Sequence, residues 1–125
     1  MLADTPLNAV IPAADLDRAK RFYGDTLGLK LIGDRDGVAL FESGGARFLV
    51  YATPNGGSAA HTLAGWTVTD LDTEMTELRS HGVTFEEYDQ PGLKTVNGVA
   101  EGAGMRGAWF KDSEGNILSV VQETH

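Results

Sequence analysis

Apolar and polar positions along this chain follow two kinds of period. Leu16, Ala19, Phe22, Tyr23 and Leu27 recur at helical spacing. Asp15 stands just before them, and its carboxylate suits the free N–H groups of a first helical turn. Gly28 follows the last apolar position and suits a left-handed stop. Shorter apolar segments surround this helix. Residues 6–14 centre on Val10 and Ile11, and residues 29–32 and 38–42 flank a turn at 34–37. Gly44-Gly45 suits a hairpin into residues 47–53. The pattern predicts one strand, one helix and three further strands.

The pattern then restarts. Pro54-Asn-Gly-Gly-Ser58 reads as a linker, and residues 63–69 are extended. Asp70-Leu71 repeats Asp15-Leu16, Leu71, Met75 and Leu78 lie at helical spacing, and His81-Gly82 closes the helix. Residues 83–88 predict a strand. Residues 109–111 and 117–122 predict a closing hairpin around the turn at 112–116. The capping aspartates are 55 residues apart and the glycine stops 54. A repeat of that length seen twice predicts two β-α-β-β-β units rather than a solenoid. We place module one at about residues 5–54 and module two at about 62–123, joined by a glycine-rich segment at 55–61, within one domain. Residues 89–104, with four glycines and Pro91, break the symmetry. They read either as a binding loop or as a surface insertion, with a short extra strand at 95–100.

Composition narrows the chemistry. The chain has 125 residues, enough for one domain with its own core, and no apolar run of membrane-spanning length. It opens without a basic region followed by an apolar stretch, so a cytoplasmic location is the expectation. With no cysteine, thiolate ligands, disulfides and cysteine nucleophiles are excluded. Eighteen acidic against ten basic residues give a formal charge of −8. Nucleic acid is therefore not an expected partner, because neutralising phosphates needs clustered Lys and Arg. A cationic small molecule would be favoured. There is no Gly-x-Ser-x-Gly elbow and no phosphate-binding glycine loop.

Two segments carry a family resemblance. Asp15-Leu-Asp-Arg-Ala-Lys-Arg-Phe-Tyr-Gly-Asp-Thr-Leu-Gly-Leu29 resembles the first helix of the vicinal oxygen chelate superfamily, which holds glyoxalases, bleomycin-resistance proteins and extradiol dioxygenases. Trp109-Phe-Lys-Asp-Ser-Glu-Gly-Asn-Ile-Leu118 resembles its closing hairpin. The resemblance implies an α+β fold, with two tandem βαβββ modules forming a curled mixed sheet around a U-shaped cleft and the helices outside. It also implies a homodimer.

Metal-dependent members place His or Glu at four strand positions. Two of these lie seven residues before each capping Asp, which puts Asn8 and Leu63 there. The other two lie on the last strand of each module, where the resemblance puts Tyr51 and Ser119. None is a histidine or a carboxylate, so we expect no metal and no other cofactor. His61 and Glu123 share strand parity with Leu63 and Ser119 and could form half a site if the register is shifted. His81 reads as a helix C-cap and His61 as a linker residue, while His125, at the end of the chain, is expected to be disordered. Glu86-Glu87 reads as a solvated edge. Trp66 is expected to pack in the core against the second helix.

The expected ligand-contacting residues are Asn8, Phe41, Tyr51, Leu63, Met105, Trp109 and Ser119. Val10, Gly65, Ile117 and Val121 are their same-face neighbours, and Arg106 is a further candidate at the entrance. Either Trp109 or Phe110 faces the cleft, not both. The expected function is metal-free binding of a small aromatic or cationic molecule, of the antibiotic-sequestering type. The alternative is a metal-dependent or acid–base enzyme of the lyase, isomerase or dioxygenase kind, with Tyr51 as its catalytic candidate. A protein with an empty, vestigial cleft is the third reading.

Overall fold

A computed structural model describes residues 1–124; the expectation for His125 lies outside them. A short 3₁₀ turn, Leu2–Asp4, precedes β1 (Ala9–Ala13), α1 (Leu16–Arg21), β2 (Lys30–Arg35), β3 (Val38–Ser43) and β4 (Ala46–Ala52). The second half runs β5 (Thr62–Thr67), α2 (Leu71–Ser80), β6 (Asp89–Gln90), β7 (Leu93–Lys94), β8 (Ala100–Gly102), β9 (Met105–Lys111) and β10 (Ile117–Glu123). Two four-stranded mixed sheets result, ordered β1-β4-β3-β2 and β5-β10-β9-β8. In each, the strand before the helix pairs in parallel with the last strand, and the rest is antiparallel. The class is α+β, and the matching strand orders fit two βαβββ modules.

Local chemistry sets the helix ends. Asp15 accepts from the Arg18 N–H at 3.1 Å, and Asp70 accepts from the Thr73 N–H at 3.2 Å and its hydroxyl at 2.8 Å. Gly28 (φ 72°) and Gly82 (φ 93°) take the left-handed conformation past each helix, and His81 occupies the C-cap of α2. The first helix does not keep one geometry to its end. Phe22–Thr26 widens into a π-turn, with the Leu27 N–H bonded to the Phe22 carbonyl. The widened turn carries Tyr23, which is fully buried against Phe41 and Phe48.

The expected strand at 83–88 is corrected. Phe85 makes a single bridge to Phe110, and the Glu86 N–H bonds the Trp109 carbonyl. Beyond that the chain turns away, because the Glu87 carboxylate accepts from the Thr95 hydroxyl and the Gly98 N–H. Glu87 thus holds the insertion, while Glu86 faces Lys111 at 3.5 Å. The sheet's fourth place passes to β8, and the insertion carries the β6–β7 ribbon and a Val96–Val99 bridge.

The two halves are joined through the turn at 112–116. Asp112, Glu114 and Asn116 are buried, and Thr95 completes the buried polar residues among those described. Asp112 accepts from the backbone N–H of Glu114 and Asn116, and from the Tyr23 hydroxyl at 2.5 Å. Asn116 donates to the Pro12 carbonyl at 2.8 Å and accepts from the Gly57 N–H at 3.0 Å. Glu114 accepts from the Asp15 N–H at 2.7 Å and takes a two-point contact from Arg18 at 2.7 and 3.0 Å. The supposed linker is therefore pinned: a Cβ at Gly57 (φ 80°) would stand 2.0 Å from the Glu114 carbonyl oxygen.

These contacts predict an acid sensitivity. The Arg18 guanidinium, above all, holds the Glu114 carboxyl down at about 2, against its ordinary 4.5. The unfolded chain takes up that proton first, so the stabilisation is complete above about pH 4.5 and is lost as pH falls towards 2. It is on the order of 2 kcal/mol. Chemical denaturation from pH 6 to pH 2.5 should show this loss, and Glu114→Gln should be less stable at pH 6 and have a flatter profile. An equally steep profile in Glu114→Gln would overturn the assignment.

Candidate functional site

Alternation along the strands divides each sheet into two faces. Ile11, Ala13, Ala39, Phe41, Phe48 and Val50 are buried on one face of the first sheet, and Ala108, Phe110, Leu118 and Val120 on one face of the second. The opposite faces carry the candidate site. In the first sheet Val10 is level with Leu49 and Pro12 with Tyr51, while Leu40 and Val38 sit across from Leu49 and Tyr51 on β3. In the second, Ser119 is level with Gly65 on one side and Trp109 on the other, with Gly107 beside Val121 and Met105 beside Glu123.

Most of the expected residues fall on these faces. Ser119, Trp109 and Met105 share one face, and Phe110 lies on the other, as the alternation required. Leu63 falls at the irregularity between Thr62 and Ala64, where the pairing with β10 shifts register, and is half-buried against the core. Asn8 is exposed one residue ahead of β1, in line with Val10. Tyr51 is 38% exposed. Phe41 requires a correction. It is fully buried on the core face, 5.6 Å from Phe48 in a stacked pair, so it does not line the site. Arg106 is level with Gln122 and ion-paired to Asp72 and Glu101. Trp66 packs against the core, stacked on Phe110 at 6.3 Å.

The register also moves one position. Leu63 lies two residues before Gly65, and Gly65 is level with Ser119. The 55-residue offset of the modules makes Asn8 and Val10 the counterparts of Leu63 and Gly65. Val10 is level with Leu49. Leu49, not Tyr51, is therefore the first-module counterpart of Ser119. Sequence reasoning missed it because the helix caps repeat cleanly while the loops between helix and last strand differ in length. Tyr51 stays on the same face, one pleat further along.

This donor set does not fit a divalent metal. Asn8, Leu49, Leu63 and Ser119 offer one amide, one hydroxyl and two hydrocarbons, where a metal needs several imidazole or carboxylate donors at about 2.0–2.2 Å. The fallback pair fails on distance. Residue 62 is level with Ile117, and Glu123 lies six residues further along, roughly 20 Å at strand rise. His61 and Glu123 thus sit at opposite ends of one strand pair. Among the described residues no three His, Asp or Glu side chains converge to hold a metal.

Side-chain packing shapes the second face. The Trp109 ring meets Tyr88 edge-on at 5.8 Å, and its indole N–H donates to the Thr62 hydroxyl at 3.1 Å. A Cβ on Gly65 would stand 2.2 Å from the Ser119 hydroxyl oxygen and 2.9 Å from its carbonyl. Gly107 is less crowded: a Cβ there would meet Trp109 and Val121 at 3.5 and 3.6 Å, ordinary contact distances.

A protein-family model described as the Glyoxalase/Bleomycin resistance protein/Dioxygenase superfamily matches residues 6–120. No curated protein matches the chain. Solved structures share its fold across nearly the whole length. TnmS3, an antibiotic binding protein from Streptomyces sp. CB03234, is 23% identical, with 96% of this chain and 98% of that one covered at a TM-score of 0.72. Lactoylglutathione lyase from Agrobacterium tumefaciens is 19% identical, with 94% and 93% covered at 0.70. A glyoxalase/bleomycin resistance protein/dioxygenase from Alicyclobacillus acidocaldarius is 19% identical, with 95% and 91% covered at 0.74.

The shared face of Gly65 and Ser119 can be tested directly. Gly65→Ala should destabilise the protein by about 1–3 kcal/mol through overpacking. Adding Ser119→Gly should recover part of that loss, because it removes the nearer of the two clashes. Strict additivity of the two changes in a denaturation cycle would show that the side chains do not meet.

Proposed function

Given that the chain belongs to the glyoxalase/bleomycin resistance protein/dioxygenase superfamily, we propose that it binds a small aromatic or cationic molecule without a metal, as an antibiotic-sequestering protein does. The observation that carries this reading is the donor set. The positions that hold metal in metal-dependent relatives carry Asn8, Leu49, Leu63 and Ser119, all neutral, set among Val10, Leu40, Tyr51 and Trp109. An apolar, aromatic wall with a few hydrogen-bonding groups suits a ligand pocket. The likeness to TnmS3, itself an antibiotic binding protein, supports the same reading. The charge of −8 favours a cation at long range.

On this proposal the two faces form one cleft, completed by a second copy of the chain. Val10 at 50% and Met105 at 42% exposed leave apolar surface open on the single chain. Asn8 and Ser119 orient the ligand, Trp109 stacks on it, and Leu49, Leu63 and Tyr51 form the wall. No described helix is long and apolar enough to cross a membrane.

Equilibrium binding against a panel of aromatic and cationic antibiotics and metabolites tests the reading. At least one compound should bind better than about 1 mM. Trp109→Ala should weaken it about tenfold or more, consistent with losing a buried aromatic contact. After incubation with Ni²⁺, Zn²⁺, Mn²⁺ or Fe²⁺ and desalting, elemental analysis should find well under one metal per chain. One tightly held metal per chain would favour the enzymatic alternative and overturn the proposal. Light scattering should give twice the mass of the chain.

A further inference from the structure

The chain has a second concave site, on the opposite side of the second sheet from Ser119 and Trp109. A cavity of about 250 Å³ lies between the end of the first helical segment and α2. Its floor is the core face of the second sheet, with Trp66, Phe110 and Val120, and Leu27 and Leu78 close its sides. The indole of Trp66 lies almost parallel to Phe110, 13° between planes, and is held by its N–H, which donates to the Ser43 hydroxyl at 2.9 Å. The aromatic floor is thus fixed in orientation before any ligand arrives.

Glu74 is the one charged side chain lining this cavity. Its carboxylate makes no ion pair or hydrogen bond with another described side chain, unlike Asp70 and Asp72 four and two residues earlier. Glu74 also lines a groove along α2, together with Glu77 and His81 and, across from them, Thr26 and Gly28. An apolar, aromatic chamber with a free carboxylate at its mouth is complementary to an amphipathic monocation. The volume lies just below the roughly 300–1,000 Å³ of drug-sized pockets, which suits one ring on a short arm.

From this geometry we infer a second ligand site, in which a small arylalkylammonium ion stacks its ring on Trp66 and sets its ammonium against Glu74. The site is independent of the cleft proposed above, and the two tryptophans of the chain report on them separately. Trp66 floors the helix-side cavity, and Trp109 stands on the Ser119 face.

The experiment is a ¹H–¹⁵N titration of the full chain with 2-phenylethylammonium, following both indole N–H signals. The Trp66 signal should shift saturably, and any Trp109 shift, reporting the cleft, should follow its own separate midpoint. The neutral analogue 2-phenylethanol should bind at least tenfold more weakly. Glu74→Gln, a change on the surface of α2, should weaken the ammonium about tenfold and leave 2-phenylethanol unchanged. An unmoved Trp66 signal, or a shift confined to Trp109, would overturn the second site. Equal affinity for the two compounds, or an unaltered response in Glu74→Gln, would overturn the role of the carboxylate. A Trp66 response with no cleft ligand found leaves this site standing and counts only against the cleft reading, so the two fail separately.

Discussion

Where the two modules meet, backbone groups reach the ends of their sheets with no strand beside them. The Pro12 carbonyl, the Asp15 N–H and the Gly57 N–H are three such groups, brought together from the β1–α1 junction and the glycine-rich segment. Buried backbone groups must find partners, and apolar packing cannot supply them. The 112–116 turn does so with Asn116 and Glu114, while Asp112 holds the turn itself in shape. Each works only in its present geometry: Asn116 has a donor and an acceptor on one amide, Glu114 bridges a helix N-terminus and Arg18, and Asp112 folds back on its own turn while holding Tyr23. Removing one would leave a buried group unpaired, which costs more than the bond is worth on balance. The aromatic cluster of Tyr23, Phe41 and Phe48 therefore depends on a polar contact at its edge, and so does the placement of one sheet against the other.

That anchoring separates the two faces of each sheet. Core residues on one face are tied through the helices and the turn, while the residues between them point the other way. A side chain can change on the Ser119 face without altering the packing of Leu118 or Val120. This is how one fold carries lyases and binding proteins alike, and why the likeness of backbone to the solved structures speaks of fold rather than chemistry. It also sets the limit seen at Gly65, where the Ser119 side chain and carbonyl approach too closely for a Cβ. Freedom on the open face stops where the strands crowd each other.

Much of this was legible in the chain. Capping aspartates, glycine stops and the glycine hairpin act over three or four residues, and they appear where local chemistry placed them. The Trp109–Phe110 alternation resolved as well, because it needs only the period of a strand. Other features depend on contacts distant in sequence. Tyr51 was assigned by counting from resemblance, but parallel pairing with β1 sets the register of β4, and it brings Leu49 level with Val10. Phe41 has the composition of a pocket aromatic, and only its pairing with Phe48 shows which face it takes. Residues 83–88 have strand character, yet Glu87 draws them aside to secure the insertion. The glycines at 56 and 57 look flexible in composition, but the Ala13–Ala14 backbone packs against the first and the Glu114 carbonyl against the second too closely for any side chain.

The corrected register sharpens the chemistry of the candidate cleft. With Leu49 in place of Tyr51, each module contributes one leucine and one small neutral polar group at the four key positions. In module one the polar residue, Asn8, precedes the first strand; in module two the polar residue, Ser119, lies on the last. The repeat therefore relates the polar group of each module to the hydrocarbon of the other. On the proposed reading, a ligand there meets hydrogen-bonding groups along one diagonal and apolar contacts along the other. Such a site selects by shape and hydrogen bonding, since none of the four positions carries charge. Any preference for a cation must then come from the summed field of the acidic surface, which screening confines to about 8 Å at physiological salt. Charge would speed encounter, while the contacts with Trp109, Leu49 and Leu63 would decide which molecule stays.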